Sequence, residues 1–132
     1  MHRNPKKNFR SLRSGTTSVE FALVAPIIFI MFIGAVELTR LNFLRHSAAN
    51  ACFEGARKAI VPGVSDADAK TAALDLLKTL GTANGADVSV TSNDSKVTVQ
   101  VTIPVNKNSW GIGRFGSGMN VTSGCTLTRE TL

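Results

Sequence analysis

Hydrophobic and polar positions divide this chain into zones of different period. From Phe21 to Val36 no residue is charged and nearly all are apolar, with no polar face at any helical or strand spacing. A helix apolar all round belongs in lipid or in the interior of a bundle. At about 1.5 Å of rise per residue the run covers about 24 Å, short of a hydrocarbon core of roughly 30 Å. Extending it back to Thr16 reaches a spanning length and brings in one acid, Glu20. A carboxylate at membrane depth is costly and calls for a partner. One long helix is therefore expected from Thr16 to about Ile60. Pro26 should kink it by removing a backbone donor, a break that membranes tolerate where neighbours satisfy the freed carbonyl.

Beyond Glu37 the pattern becomes amphipathic. Leu38, Leu41, Leu44, Ala48, Ala51 or Cys52, Gly55 and Ala59 recur at steps of three and four, the spacing of one helix face. The lower part of that stripe is small, so another backbone can approach it closely. Glu37 with Arg40, and Glu54 with Lys58, are spaced as helix-surface pairs. Pro62-Gly63 ends the helix. Ser65 with Asp68 resembles a capping box opening a second helix over 66–80, with Ala69, Ala73, Leu76, Leu77 and Leu80 inward and Gly81 as a left-handed cap.

The last third alternates with a period of two. Val88 and Val90, then Val97, Val99, Val101, Ile103 and Val105, mark strands of about 87–92 and 96–104 around an Asn93-Asp94 turn. Pro104 ends the second strand or places it at an edge. A glycine-rich loop follows over 106–118, then a strand of about 119–129 with Met119, Val121, Cys125 and Leu127 on one parity, broken by Ser123. The fold class expected is α+β. A transmembrane helix over 16–37 continues into an extracytoplasmic domain over 38–132, made of helix 38–60, helix 66–80 and a three-stranded antiparallel sheet.

Charge changes this picture in one respect. The chain of 132 residues carries a formal charge of +6, but Arg3, Lys6, Lys7, Arg10 and Arg13 all precede Gly15 with no acid among them. The remaining 10 Lys and Arg face all 9 Asp and Glu. The excess thus belongs to a basic leader over 1–15, read as disordered, rather than to a nucleic-acid-binding face. Basic flanks stay cytoplasmic, which orients the chain N-in and C-out. Cleavage by the ordinary signal peptidase fits poorly, since no small-x-small site closes the apolar run.

A location outside the cytoplasm is oxidising in bacteria. Cys125 lies on the apolar side of its strand and Cys52 on the small-residue stripe of the long helix. If the sheet packs on that helix, the two meet and close a loop of roughly 70 residues. Two reduced, buried thiols are the other reading of the same count.

Other constellations are declined. Gly111, Gly113 and Gly116 spell G-x-G-x-x-G, but the motif acts between a strand and a helix N-terminus, and here a strand comes next. Trp110 and Phe115 in that loop are contact residues or a cover for the sheet end. His46 has no ligand at metal-binding spacing. No nucleophile–base set or metal cluster is supported, so no catalysis, cofactor or small-molecule substrate is expected.

Gly15-Thr16-Thr17-Ser18-Val19-Glu20-Phe21 resembles a type IV prepilin processing site. With Glu20-Phe21-Ala22-Leu23-Val24-Ala25-Pro26, Gly34-Ala35-Val36-Glu37-Leu38-Thr39-Arg40 and Glu54-Gly55-Ala56-Arg57, the chain resembles the TadE-like family, minor pilins or pseudopilins of the Flp (Tad) pilus assembly system. The resemblance implies cleavage after Gly15 by a prepilin peptidase in the inner membrane, leaving Thr16 as the new N-terminus. It implies that Glu20 serves assembly by neutralising the terminal amine of a neighbouring subunit. It also implies a periplasmic C-terminal domain, with other Tad pilins and the assembly machinery as partners. Thr16 departs from the aromatic or Met residue often seen there in major type IV pilins, which leaves N-methylation open. The rival readings are an uncut single-pass protein whose outer domain binds a partner, an exported enzyme on a signal anchor, and a pseudopilin of a type II secretion apparatus.

Overall fold

The computed structural model describes residues 10–108 and 118–129. It contains one long helix, α1 (Arg10–Ile60), a second, α2 (Asp66–Thr79), strands β1 (Asp87–Ser92) and β2 (Lys96–Pro104), a short helix α3 (Val105–Asn108) and strand β3 (Asn120–Thr128). The chain divides into two compact units, Met1–Val36 and Glu37–Leu132. The α+β layout expected from the period changes is the one observed.

The first unit holds the start of α1. The helix opens at Arg10 rather than Thr16, so residues 10–15, read as disordered, are helical. The physical reason is local: Arg10 to Ser14 include no proline, and extending an existing helix adds about one hydrogen bond per residue ordered. Residues 1–9 of the leader lie outside the described residues. Pro26 lies within α1, which continues on both sides of it. Apart from the half-buried Ala25, the apolar residues from Phe21 to Val36 are exposed, Phe21 at 71%. The helix is long and apolar enough to cross a membrane.

The second unit is built on the sheet. Its order is β1-β2-β3, an antiparallel meander with Val88 opposite Val101, Val90 opposite Val99, and Val99 opposite Cys125. Alternation puts Val97, Val99, Val101 and Ile103 of the central strand on one face, all fully buried. Fully burying one such side chain contributes about 1.5–3 kcal/mol. The opposite face is a threonine ladder, with Thr98 Oγ1 3.0 Å from Thr126 Oγ1 and Thr102 Oγ1 3.4 Å from Thr122 Oγ1. Pro104 ends β2, which is central, so its missing donor falls where pairing stops. The hairpin closes with the Asn93 amide donating to the Lys96 carbonyl at 2.8 Å.

The core joins this sheet to both helices. Leu44, Ala48, Ala51, Cys52, Ala56 and Ala59 of α1 and Ala69, Ala73 and Leu77 of α2 form one cluster with the valines of the sheet. The stripe begins later than its spacing implied, since Leu38 is 65% exposed while Leu44 is fully buried. The sheet and α2 supply a cover only from about Leu41 onward, so periodicity without a partner leaves Leu38 outside. Glu54 pairs with Arg57 at 3.7 Å rather than with Lys58, and the Arg40 guanidinium goes to the Asn108 carbonyl rather than to Glu37.

Helix α2 has the ends its sequence implied. Ser65 caps it, and Ser65 and Asp68 form the reciprocal box. At the other end Gly81 takes φ +68°, with the Thr82 amide donating to the Leu77 carbonyl and the Gly81 amide to the Lys78 carbonyl. This is the paired closure that a left-handed residue permits. The loop expected over 106–118 begins instead as α3. The Asn108 side-chain amide donates to the Asn84 and Pro104 carbonyls, both at 2.9 Å. Those tertiary bonds, rather than the propensity of Val-Asn-Lys-Asn, hold the turn. Trp110, Gly111, Gly113, Phe115 and Gly116 lie outside the described residues.

Candidate functional site

The residues singled out for processing lie on the first unit. Gly15, Thr16 and Glu20 all belong to α1 and are exposed. Nothing stands within 4 Å of where a Gly15 side chain would begin. Four residues, Thr16 to Val19, lie between Gly15 and Glu20, and the two positions are about 7.5 Å apart along the axis. Among the described residues no cation pairs with Glu20. Its carboxylate therefore stands at the head of an exposed apolar surface.

Glycine at position 15 has a specific consequence. Within a helix it costs about 1 kcal/mol relative to alanine, so the turn around it opens more readily than its neighbours.

The second unit carries the other predicted pair. Cys52 of α1 and Cys125 of β3 form a disulfide with Cα atoms 6.0 Å apart. Cys52 Sγ also lies 3.0 Å from the Val99 carbonyl oxygen, a contact that becomes a hydrogen bond only when the thiol carries its proton. Three residues along α1, Gly55 marks the closest approach of the three layers. A side chain beginning there would sit 3.2 Å from Ala73 Cβ, 3.4 Å from the Ala69 carbonyl oxygen and 3.4 Å from Val99 Cγ1. The glycine lets α2 and the sheet both close onto the helix.

Two anchoring groups have no counterpart in the patterns read from sequence. Arg129 Nη2 donates to the Ala59 carbonyl at 2.7 Å, placing a cation on the negative end of α1, while its backbone amide donates to the Ser95 carbonyl. Asn108 ties α3 to the Asn84 turn and, through its carbonyl, to Arg40 Nε at 2.8 Å. A lone Arg after a strand and an Asn after a proline carry no periodic signal, so only the folded chain reveals them. His46 is exposed. Among the described residues no group of His, Cys, Asp and Glu is placed to hold a metal ion.

The arrangement concentrates distinctive chemistry at one helix start and structural ties in the folded unit. Residues 15–57 match the family model described as TadE-like protein. The match begins at Gly15 and ends at Arg57, taking in Glu20 and the Gly55 approach. No curated protein and no solved structure matches the chain.

Proposed function

We propose, from the TadE-like stretch over residues 15–57, that this protein is a minor pilin or pseudopilin of a Tad-type pilus assembly system, made as a membrane-inserted precursor. A prepilin peptidase cuts after Gly15, and Thr16 becomes the N-terminus. The basic leader stays cytoplasmic, α1 anchors the chain in a bacterial inner membrane, and the α+β unit stands on the periplasmic side. The role is structural: α1 packs among other pilin helices, and the protein helps to start, cap or couple the pilus to its machinery.

One observation carries this reading, the coincidence of the family match with an exposed apolar helix that has a single carboxylate near its start. Three residues, Thr17 to Val19, separate the free amine of a cut chain, on Thr16, from its own Glu20. An ammonium beside that carboxylate neutralises it and sets the stagger between subunits. Intact-mass measurement of the protein from its native host tests the reading. A chain beginning at Thr16 is expected; one still carrying Met1, in cells that trim other prepilins, overturns it.

A second reading has an observation of its own. The Gly15–Thr16 bond lies within α1 rather than in an extended segment, as an uncut single-pass anchor would have it. The same mass measurement separates the two. A pseudopilin of a type II secretion apparatus is a close variant of the first reading, told apart by the machinery to which the protein cross-links.

A further inference from the structure

The turn between α2 and β1 holds the sole Asn-Gly pair in the chain, Asn84-Gly85. Both residues are exposed. They form the middle of a turn closed by the Ala86 amide on the Ala83 carbonyl at 3.1 Å, with Gly85 at φ +68°. Glycine takes that conformation at no steric cost. Among the described residues the Gly85 amide has no backbone acceptor.

Helix α3 grips this turn. Asn108, only 3% exposed, donates its side-chain amide to the Asn84 carbonyl at 2.9 Å, while its own carbonyl accepts from Arg40 Nε at 2.8 Å. Lys107 lies over Gly85 so closely that a side chain beginning there would sit 2.6 Å from Lys107 Cδ. The Asn84 carbonyl thus links the approach to β1 with α3 and, through Asn108, with α1.

We propose that Asn84 is a modification site, where the chain itself converts asparagine to isoaspartate. The deprotonated Gly85 amide nitrogen bonds to Asn84 Cγ. The Cγ–Nδ2 bond breaks, and ammonia leaves with a proton taken from water. The product is a five-membered imide. Water then adds to either ring carbonyl and opens it to aspartate or isoaspartate, with no oxidant or reductant consumed. Glycine permits the approach, because a side chain on the following residue crowds the attacking nitrogen. Asn93 is also exposed, but Asp94 follows it.

Asn108 sets the rate. Ring closure requires the peptide after Asn84 to rotate until its nitrogen faces Cγ, and the bond from Asn108 holds the carbonyl of that same peptide. Conversion then loosens α3. Isoaspartate carries one more methylene in the main chain, so residues 83–86 no longer close the same turn. The Asn84 oxygen moves away from Asn108.

The test holds the full chain in detergent micelles at mildly alkaline pH and digests samples at intervals. Mass spectrometry with fragmentation locates each amide-to-acid change. Residue 84 should convert first, with isoaspartate in excess over aspartate, while Asn93 stays intact. Asn84→Gln should abolish the change, since its ring would need a further carbon. Asn108→Ala should speed conversion about fivefold, the scale of one lost hydrogen bond. The unaltered chain in denaturant gives the same comparison without a variant, and residue 84 should convert faster there than in the folded chain. In converted protein the Asn108 side-chain amide resonances should move, while the Ser65 and Asp68 amides at the start of α2 stay in place. No conversion at residue 84, equal conversion of Asn93, or equal rates with and without the Asn108 bond overturns the proposal. Asn108 resonances unmoved by conversion overturn the release of α3.

Discussion

Gly55 is where α1, α2 and the sheet come within touching distance, and the contact leaves room for a hydrogen and little else. A leucine there must displace Ala73, the Ala69 carbonyl and Val99 together. Gly55→Leu is expected to destabilise the second unit by about 1–3 kcal/mol, the usual scale of overpacking, read by denaturant unfolding of the full chain in detergent. Asp68 acts on the same scale through charge. The Ser65 hydroxyl, followed by the Ser65 backbone amide, holds its carboxyl below the ordinary aspartate value. Because the folded pKa is lowered, the stabilisation is present in full above the unfolded pKa and is lost as pH falls through the folded one. Carboxyl titration by NMR should place Asp68 below a free aspartate, and Ser65→Ala should raise it. A midpoint unmoved by that substitution would show that the cap does not hold the charge.

At the scale of elements, β3 is tied to α1 by Cys52–Cys125 and by Arg129 on the Ala59 carbonyl. The disulfide joins residues 73 apart in the sequence, within the second unit Glu37–Leu132. Reducing it should lower stability by about 2–4 kcal/mol, measured as a shift in the denaturant midpoint with and without reductant. An unchanged midpoint would mean that the unfolded chain is not constrained by the bond. Opening it frees Cys52 to donate to the Val99 carbonyl, so the reduced unit keeps a partner for that sulfur. The Pro62-Gly63 break and the two caps of α2 were legible beforehand because each depends on residues within one turn. Helix α3 was not, since it is held by Asn108 reaching Asn84 and Pro104.

For the whole molecule, the proposed function turns on Glu20. An anchor that merely spans the bilayer gains from losing a charge near its apolar run, whereas an assembling subunit loses its partner for a neighbour's amine. Glu20→Ala is therefore expected to insert into membranes at least as well as the unaltered chain and to fail to enter pili, read by membrane fractionation and by immunoblotting of sheared filaments. Equal amounts of the two chains in filaments would remove Glu20 from assembly.

The sequence alone determined the order and type of the main elements and the small-residue stripe. These follow from periodicity, caps and charge, all of which act over a few residues. It also marked Gly15, Thr16 and Glu20, because a glycine, a lone acid and an apolar run lie within one short stretch. Only the tertiary structure decided that the buried stripe starts after Leu38 and that Arg129 closes the end of α1. Each depends on which surface meets which across dozens of residues. A local pattern can say that a face is apolar, but not how far its cover extends.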